Sequence, residues 1–251
     1  MLSPVPPREG VAKACASALR ASILRGDVQV GERLPPERTL AATLGVNRAT
    51  LRAALRELEA SGLVTARQGS GYAVHDYRLA CGPDVLGPLV DVARERGDTA
   101  ALVEDLLLVR RNLARAVFER LAGRRLSRAA SEAIARRIDA LETLADDRAP
   151  FAELARADLD VLAALLDATG SPVLRLFFNP AASTLARIPE LAAALYGEPH
   201  ENVVAWRSLL AALREGAIAA EPLIEWLEKR DRMTVAQLEK KEKRKDEEKT
   251  R

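Results

Sequence analysis

The sequence predicts a mostly α-helical protein: a small helical N-terminal domain closed by a β-hairpin, then an antiparallel bundle of six or seven helices. Three observations predict it. Leucine and alanine at helical spacing dominate after residue 82, while aromatic residues make up only 4% of the chain. One stretch, "LVTARQGSGYAVHDY" (63–77), reads instead as two short strands separated by Gln68, Gly69, Ser70 and Gly71. "HDYRLACGP" (75–83) reads as a linker ending on Gly-Pro. The expected regions are therefore residues 1–79, residues 80–238 and a charged tail, 239–251.

Each element has a local reason. In "VAKACASALRASILRG" (11–26), Val11, Cys15, Ala18 or Leu19, and Ile23 fall on one side of a helix that stops at Gly26. Pro35-Pro36 opens a second helix, "ERTLAATLG", because proline at a helix entry loses no needed hydrogen bond. Gly45 ends it. Asn47 is placed to cap the third helix by accepting from the amide of Ala49 or Thr50. Leu51, Leu55 and Leu58 then face a core, and Arg52, Ala53 and Arg56 point outward with Ala49. Gly62 stops this helix just before the hairpin.

In the second region, Asp98 or Thr99 starts a helix to about Leu121, with Leu102, Leu106, Val109, Leu113, Val117 and Leu121 on one stripe. Ser127 caps the next, which buries Ile134, Ile138, Leu141 and Leu144. Another runs from Pro150 to Thr169. Shorter pieces follow, broken by Pro172, Pro180, Pro189 and Pro199. Two late helices cover 200–214 and 220–243. The tail "EKKEKRKDEEKTR" has mixed charge and no apolar period, so a frayed or disordered end is expected.

Composition narrows the function classes. The 251 residues are 48% apolar, enough to bury a core. No apolar run reaches the roughly 18–20 residues that cross a bilayer, and "MLSPVPPREG" lacks a signal-peptide pattern. Cys15 and Cys81 are too few for a disulfide framework and read as small buried residues of a reducing compartment. A cytoplasmic protein without membrane partners is expected. Residues 1–79 carry eleven Lys/Arg against seven Asp/Glu, and the remainder carries 27 against 29. A basic front end favours a polyanionic partner.

The first domain has a specific use for that charge. Two helices joined by "LGVN", the second with a basic outward N-terminal face, make a helix-turn-helix, and the hairpin makes it winged. The major groove admits one helix, arginine can bond guanine bidentately, and threonine can bond a base edge or phosphate. Arg48 and Thr50 lie in the first turn, where free amides and the helix dipole also attract an anion. A glycine at the wing tip lets the backbone approach the duplex closely.

The stretch "GERLPPERTLAATLGVNRATLRAALRELEASGLVTARQGSGYAV" (31–74) resembles the DNA-binding domain of the GntR family of bacterial transcription regulators. "LPxER", "LAxxLGVxRxTLRxAL" and "LExxGLVxxxxGxG" occur in order. The resemblance carries DNA contacts onto Arg38, Arg48, Thr50, Arg52, Gln68 and Gly69, with Arg67 beside them. Asn47 and Ala49, at the start of the recognition helix, complete the expected DNA-binding set. Pro36 and Ala49 depart from the family's usual serine and threonine.

The later helices resemble the FadR-like branch, whose helical domain binds effectors and dimerises. "LVEDLLLVRRNLARAVFERLA" and "FAELARADLDVLAALLDATGSPVLRLFFN" carry that likeness. Many relatives hold a divalent metal through an aspartate and three histidines. Asp158 matches the aspartate, but Leu162 and Trp206 stand at histidine positions, and the chain has two histidines in all, His75 and His200. No metal and no cofactor are therefore expected. Arg110 and Asn179 match positions lining the family's cavity, which makes them the candidate effector residues, although an internal salt bridge also explains Arg110. Trp206 and Trp226 read as core fillers.

The expected function is a homodimeric repressor-type regulator that binds a palindromic double-stranded operator and responds to a small anionic metabolite, an acyl-CoA or a carboxylate. The alternative is a ligand-independent dimeric DNA-binding protein. A fused enzyme is disfavoured because the chain after residue 80 is short and purely helical.

Overall fold

The computed structural model describes residues 9–67, 71–217 and 220–249. By packing, the chain divides into two compact units, residues 1–92 and 93–251.

The first unit has α1 (Glu9–Arg25), α2 (Glu37–Thr43), α3 (Arg48–Ala60), β1 (Val64–Arg67), β2 (Gly71–Val74), α4 (Tyr77–Ala80), a 3-10 turn at Pro83–Val85 and α5 (Leu86–Arg96), which crosses into the second unit. Its core closes where α1 and α3 pack together and bury Cys15, Leu19 and Ile23 against Leu51, Leu55 and Leu58. Those three α3 leucines are wholly inaccessible, and truncating any one to alanine costs about 2–5 kcal/mol in such a setting. Val11, placed on the apolar side by periodicity, is instead exposed, and of Ala18 and Leu19 it is Leu19 that is buried. Asn47 caps α3 through the Thr50 amide at 2.9 Å. The hairpin is antiparallel with Val64 opposite Val74, and Arg33 adds a bridge to Ala73 that the sequence did not signal.

The expected boundary at 79/80 lies inside this unit. Tyr77, Cys81 and Leu89 pack against the first core, and Val85 and Val92 are part of it. Residues 75–83 are thus a folded strap across the winged domain. Gly62 shows how tight the strap is: it has φ +79, and a Cβ there would clash with the Ala80 carbonyl oxygen.

The second unit continues with α6 (Thr99–Leu121), α7 (Arg128–Asp146), α8 (Phe151–Ala168), α9 (Pro172–Leu185), α10 (Pro189–Leu195), α11 (Pro199–Glu215) and α12 (Ala220–Lys249). These are seven helices with no strand among the described residues, in agreement with the expected helical bundle. The closest pairings are α7 with α8, α6 with α12, and α7 with α11. Ile134, Ile138, Leu141, Leu154 and Leu165 form the central layer. α6 buries Val103, Leu107, Ala114 and Phe118 beside the predicted Leu106, Val117 and Leu121, whereas Val109 is exposed. The broader buried surface follows from α6 having partners on two sides, α12 and α9.

Two ends differ from expectation. Asp98 precedes α6 without a side-chain cap, and the Glu242 carboxylate of α12 instead accepts from the Ala100 amide at 3.0 Å. α12 continues through most of the charged tail, to Lys249. That long-range cap gives the early part of the tail a reason to stay helical.

Candidate functional site

The first candidate surface is α3 with its neighbours. Arg38, Asn47, Arg48, Ala49, Arg52 and Arg67 are all exposed. Arg48 and Arg52 lie one helical turn apart, so both side chains rise from the same face. Arg52 is oriented by Glu37 at the start of α2, Nε to carboxylate 2.9 Å. Thr50 lies in the first turn of α3, is 9% exposed, and gives its amide to the Asn47 side chain. Gln68 and Gly69 lie outside the described residues.

The second candidate is a cavity of about 510 Å³ within the helical unit. Six helices, α6 and α8 to α12, converge on it, and its walls are mostly leucine and alanine. The polar groups are few. Arg110 reaches it from α6, Asp158 from α8, Tyr196 from the end of α10, Asn202 and Trp206 from α11, and Trp226 and Arg230 from α12.

Asp158 is fixed from two sides. The Tyr196 hydroxyl donates to Oδ2 at 2.9 Å and the Trp206 indole N–H to Oδ1 at 2.5 Å. Burial pushes its carboxyl up, opposed by those two hydrogen bonds and by the charges of Arg110 and Arg230. Burial also raises the Tyr196 phenol well above its ordinary value, and the neighbouring Asp158 charge adds to that. Tyr196 is therefore a neutral donor at any ordinary pH. Two neutral donors, one on each oxygen, suit an ionised carboxylate.

Arg110 donates to Asp231 on α12 at 2.6 Å, and its neighbour Arg111 takes the other carboxylate oxygen at 2.9 Å. Asp231 is only 4% exposed; burial raises its carboxyl, and the two arginines oppose the rise. Arg110 therefore both lines the cavity and sits in an internal salt bridge. Asn179 is exposed on α9 and is not among the cavity's lining residues. Trp206 and Trp226 are not core fillers: both line the cavity, and Trp226 is 43% exposed.

Arg230 was not singled out from the sequence. It donates through Nη2 to the Leu195 carbonyl at 2.5 Å and to the Asn202 side-chain oxygen, and its guanidinium lies 5.3 Å from the centre of the Trp226 ring. The Trp226–Arg230 spacing of four was the available signal, because it puts both on one helical face.

These residues do not fit a divalent metal. Asp158 is the one carboxylate lining the cavity, and both its oxygens are taken by N–H and O–H donors. Leu162, in the next turn, offers no donor atom. His200 is exposed and paired with Asp146 at 3.0 Å, and no cluster of three or more potential ligands occurs among the described residues.

A helix-turn-helix with an arginine-bearing second helix and a hairpin wing, continued by an all-helical unit around an apolar cavity, defines a DNA-binding transcription regulator with an effector-type domain. Residues 12–74 match the family model described as bacterial regulatory proteins, gntR family, and residues 105–220 match the FCD domain. The chain belongs to the GntR family, in its FadR-like branch. It is 35% identical over 187 residues to the HTH-type transcriptional regulator Mce2R of Mycobacterium tuberculosis, covering 74% of each chain. It is 32% identical over 149 residues to the fatty acid metabolism regulator protein of Serratia proteamaculans, covering 59% of this chain and 58% of that one. Its fold is shared with a solved structure of Lar, described as controlling the agr system of Listeria monocytogenes. The TM-score there is 0.56 at 17% identity, over 96% of this chain and 99% of that one. No helix among the described residues is long and apolar enough to cross a membrane.

Proposed function

We propose that this regulator is a homodimer whose operator affinity is set by a small anionic aliphatic metabolite, an acyl-CoA or a carboxylate, bound in the helical unit. The observation that carries the reading is the cavity itself: a leucine-walled space into which two arginines project. Its size is within the range of pockets that bury most of a drug-sized ligand. An aliphatic ligand accords with the similarity to a protein named for fatty acid metabolism.

Dimerisation is supported by an apolar face on α9, where Leu176 is 69% and Phe177 66% exposed, with Val173 beside them. Leu108 and Val109 on α6, the helix that α9 packs against, are exposed as well. Such a face fits a second copy of the same unit, and two-fold symmetry doubles the few base pairs one recognition helix reads. The DNA-contacting set is Arg38, Asn47, Arg48, Ala49, Thr50 and Arg52, with Arg67, Gln68 and Gly69 of the wing.

The test is to define an operator by selection from randomised duplexes and then titrate it with and without acyl-CoAs and carboxylates. The expected result is a palindromic site whose affinity changes by about 5–150-fold on saturation with one of these ligands. Constant affinity with every ligand would instead support a ligand-independent dimer in which the helical unit serves assembly alone.

A further inference from the structure

We propose that Glu37 is a positioning residue for base reading: it takes one edge of the Arg52 guanidinium and leaves the tip to read a guanine in the major groove. The proposal rests on Arg52 belonging to the DNA-contacting set proposed above. It goes further by fixing what Arg52 reads and which residue aims it. Three observations lead to it.

The first is where the carboxylate sits. Glu37 is the first residue of α2, and the ring of Pro36 before it restricts the chain at the entry. Leu40 and Ala41, three and four positions on, lie on the same side of α2 and are buried in the core that α3 shares. Glu37 is thereby turned toward α3 from a fixed entry. It reaches across 15 positions of sequence, and its Oε2 accepts from Arg52 Nε at 2.9 Å.

The second is which donors remain. A guanidinium offers two edges of paired, parallel N–H groups, Nε with Nη2 and Nη1 with Nη2. The bond to Glu37 occupies the Nε edge. The Nη1–Nη2 edge is left at the tip of a side chain that is 59% exposed. Guanine presents O6 and N7 as neighbouring acceptors in the major groove, and two parallel N–H groups match them.

The third is charge. Arg38, Arg48 and Arg67 have no carboxylate in ion-pair contact among the described residues, whereas Arg52 has one. The Glu37–Arg52 pair is formally neutral. It attracts a phosphate less than a free arginine does, yet keeps two N–H donors for an uncharged base edge. A carboxylate on this surface therefore lowers affinity for the backbone of any sequence and raises the share of binding that depends on the base. An exposed pair of this kind adds little to folding stability, so specificity is the use that accounts for it.

The test uses the full-length protein without effector. Its duplexes are the selected operator, a panel with each half-site base pair exchanged in turn, and an unrelated sequence, all read by fluorescence anisotropy. The unaltered protein should prefer G·C at one position of each half-site by about fivefold or more, the discrimination of one bidentate arginine–guanine contact. Arg52→Ala should remove the preference at that position. Glu37→Ala should reduce it at the same position and no other, while binding the unrelated duplex more tightly. The double variant should lose no more discrimination there than Arg52→Ala alone. Glu37→Gln, whose amide oxygen can still accept from Nε, should keep part of the preference. Far-UV circular dichroism checks that each variant is folded. A folded Glu37→Ala protein with the discrimination profile of the unaltered one overturns the proposal and leaves Arg52 in the DNA-contacting set. So does a loss spread evenly over all positions, which is the mark of a structural role. Arg52→Ala that weakens every duplex equally makes Arg52 a phosphate contact and overturns the proposal, again sparing the set. Arg52→Ala without effect on any duplex overturns both.

Discussion

Arg48 and Arg52 carry different constraints although they sit on one face of the recognition helix. Arg52 is held by Glu37 before any DNA arrives, whereas no ion pair restrains Arg48 among the described residues. A preset side chain loses less freedom on binding. Each alanine substitution should weaken operator binding by about 1–3 kcal/mol if that arginine reads a base. Fluorescence anisotropy on the selected operator measures this, and unchanged affinity in the double variant would place the interface on another helix. Asp158 supports a prediction of a different kind. Burial holds its carboxyl above the ordinary value, so over a window starting at about pH 4 the folded protein binds more protons than the unfolded chain. Stability from this group is therefore greatest at the acid side and falls as pH rises through the raised folded value. Asp158→Asn should flatten that part of the profile of melting temperature against pH. A profile unchanged in slope would mean that the hydrogen bonds and arginines around Asp158 outweigh its burial.

At the level of elements, α6 and α12 are joined by more than leucine packing. Arg110 and Arg111 share Asp231, Arg115 pairs with Glu221, and Glu242 caps the start of α6. Asp231 is the member buried deepest, so Asp231→Ala strands two guanidinium groups at once. Such a loss costs about 3–5 kcal/mol, and urea unfolding should show it as a lower midpoint. A cost below about 1 kcal/mol would assign these contacts to solvated surface. None of this clasp was legible in the sequence, because Arg110 and Asp231 are separated by 121 residues and no local pattern joins them. What was legible is local in origin. The Asn47 cap, the Leu51–Leu55–Leu58 stripe, the Ser127 cap and the hairpin each depend on residues within a few positions. The same reasoning misplaced Val109 and Val11, where the outcome depends on which neighbouring helix covers the residue. It named Arg110 for the cavity but passed over Arg230, whose partners Leu195 and Asn202 lie far back along the chain.

At the level of the whole molecule, the DNA surface belongs to residues 1–92 and the cavity to residues 93–251, so regulation requires a coupling free energy between two separate units. A ligand can shift operator affinity only by its differential affinity for the DNA-competent and incompetent states. A ligand with equal affinity for both would bind tightly and regulate nothing. The coupling is also reciprocal: operator DNA must change ligand affinity by the same factor that the ligand changes operator affinity, typically 1–3 kcal/mol. Leu162 offers a clean way to test this, because it lines the cavity, carries no charge and is remote in sequence from the DNA surface. Leu162→Trp fills part of the cavity without touching Arg48, Arg52 or the wing. In this variant, operator affinity without ligand should match that of the unaltered protein, and the response to ligand should be lost. The unaltered protein should give equal coupling factors from the two titrations, operator against ligand and ligand against operator. If Leu162→Trp still responds fully, the ligand acts from somewhere other than this cavity. Unequal factors at equilibrium would mean that a third component, such as a change in oligomeric state, enters one of the two titrations and has to be included in the linkage.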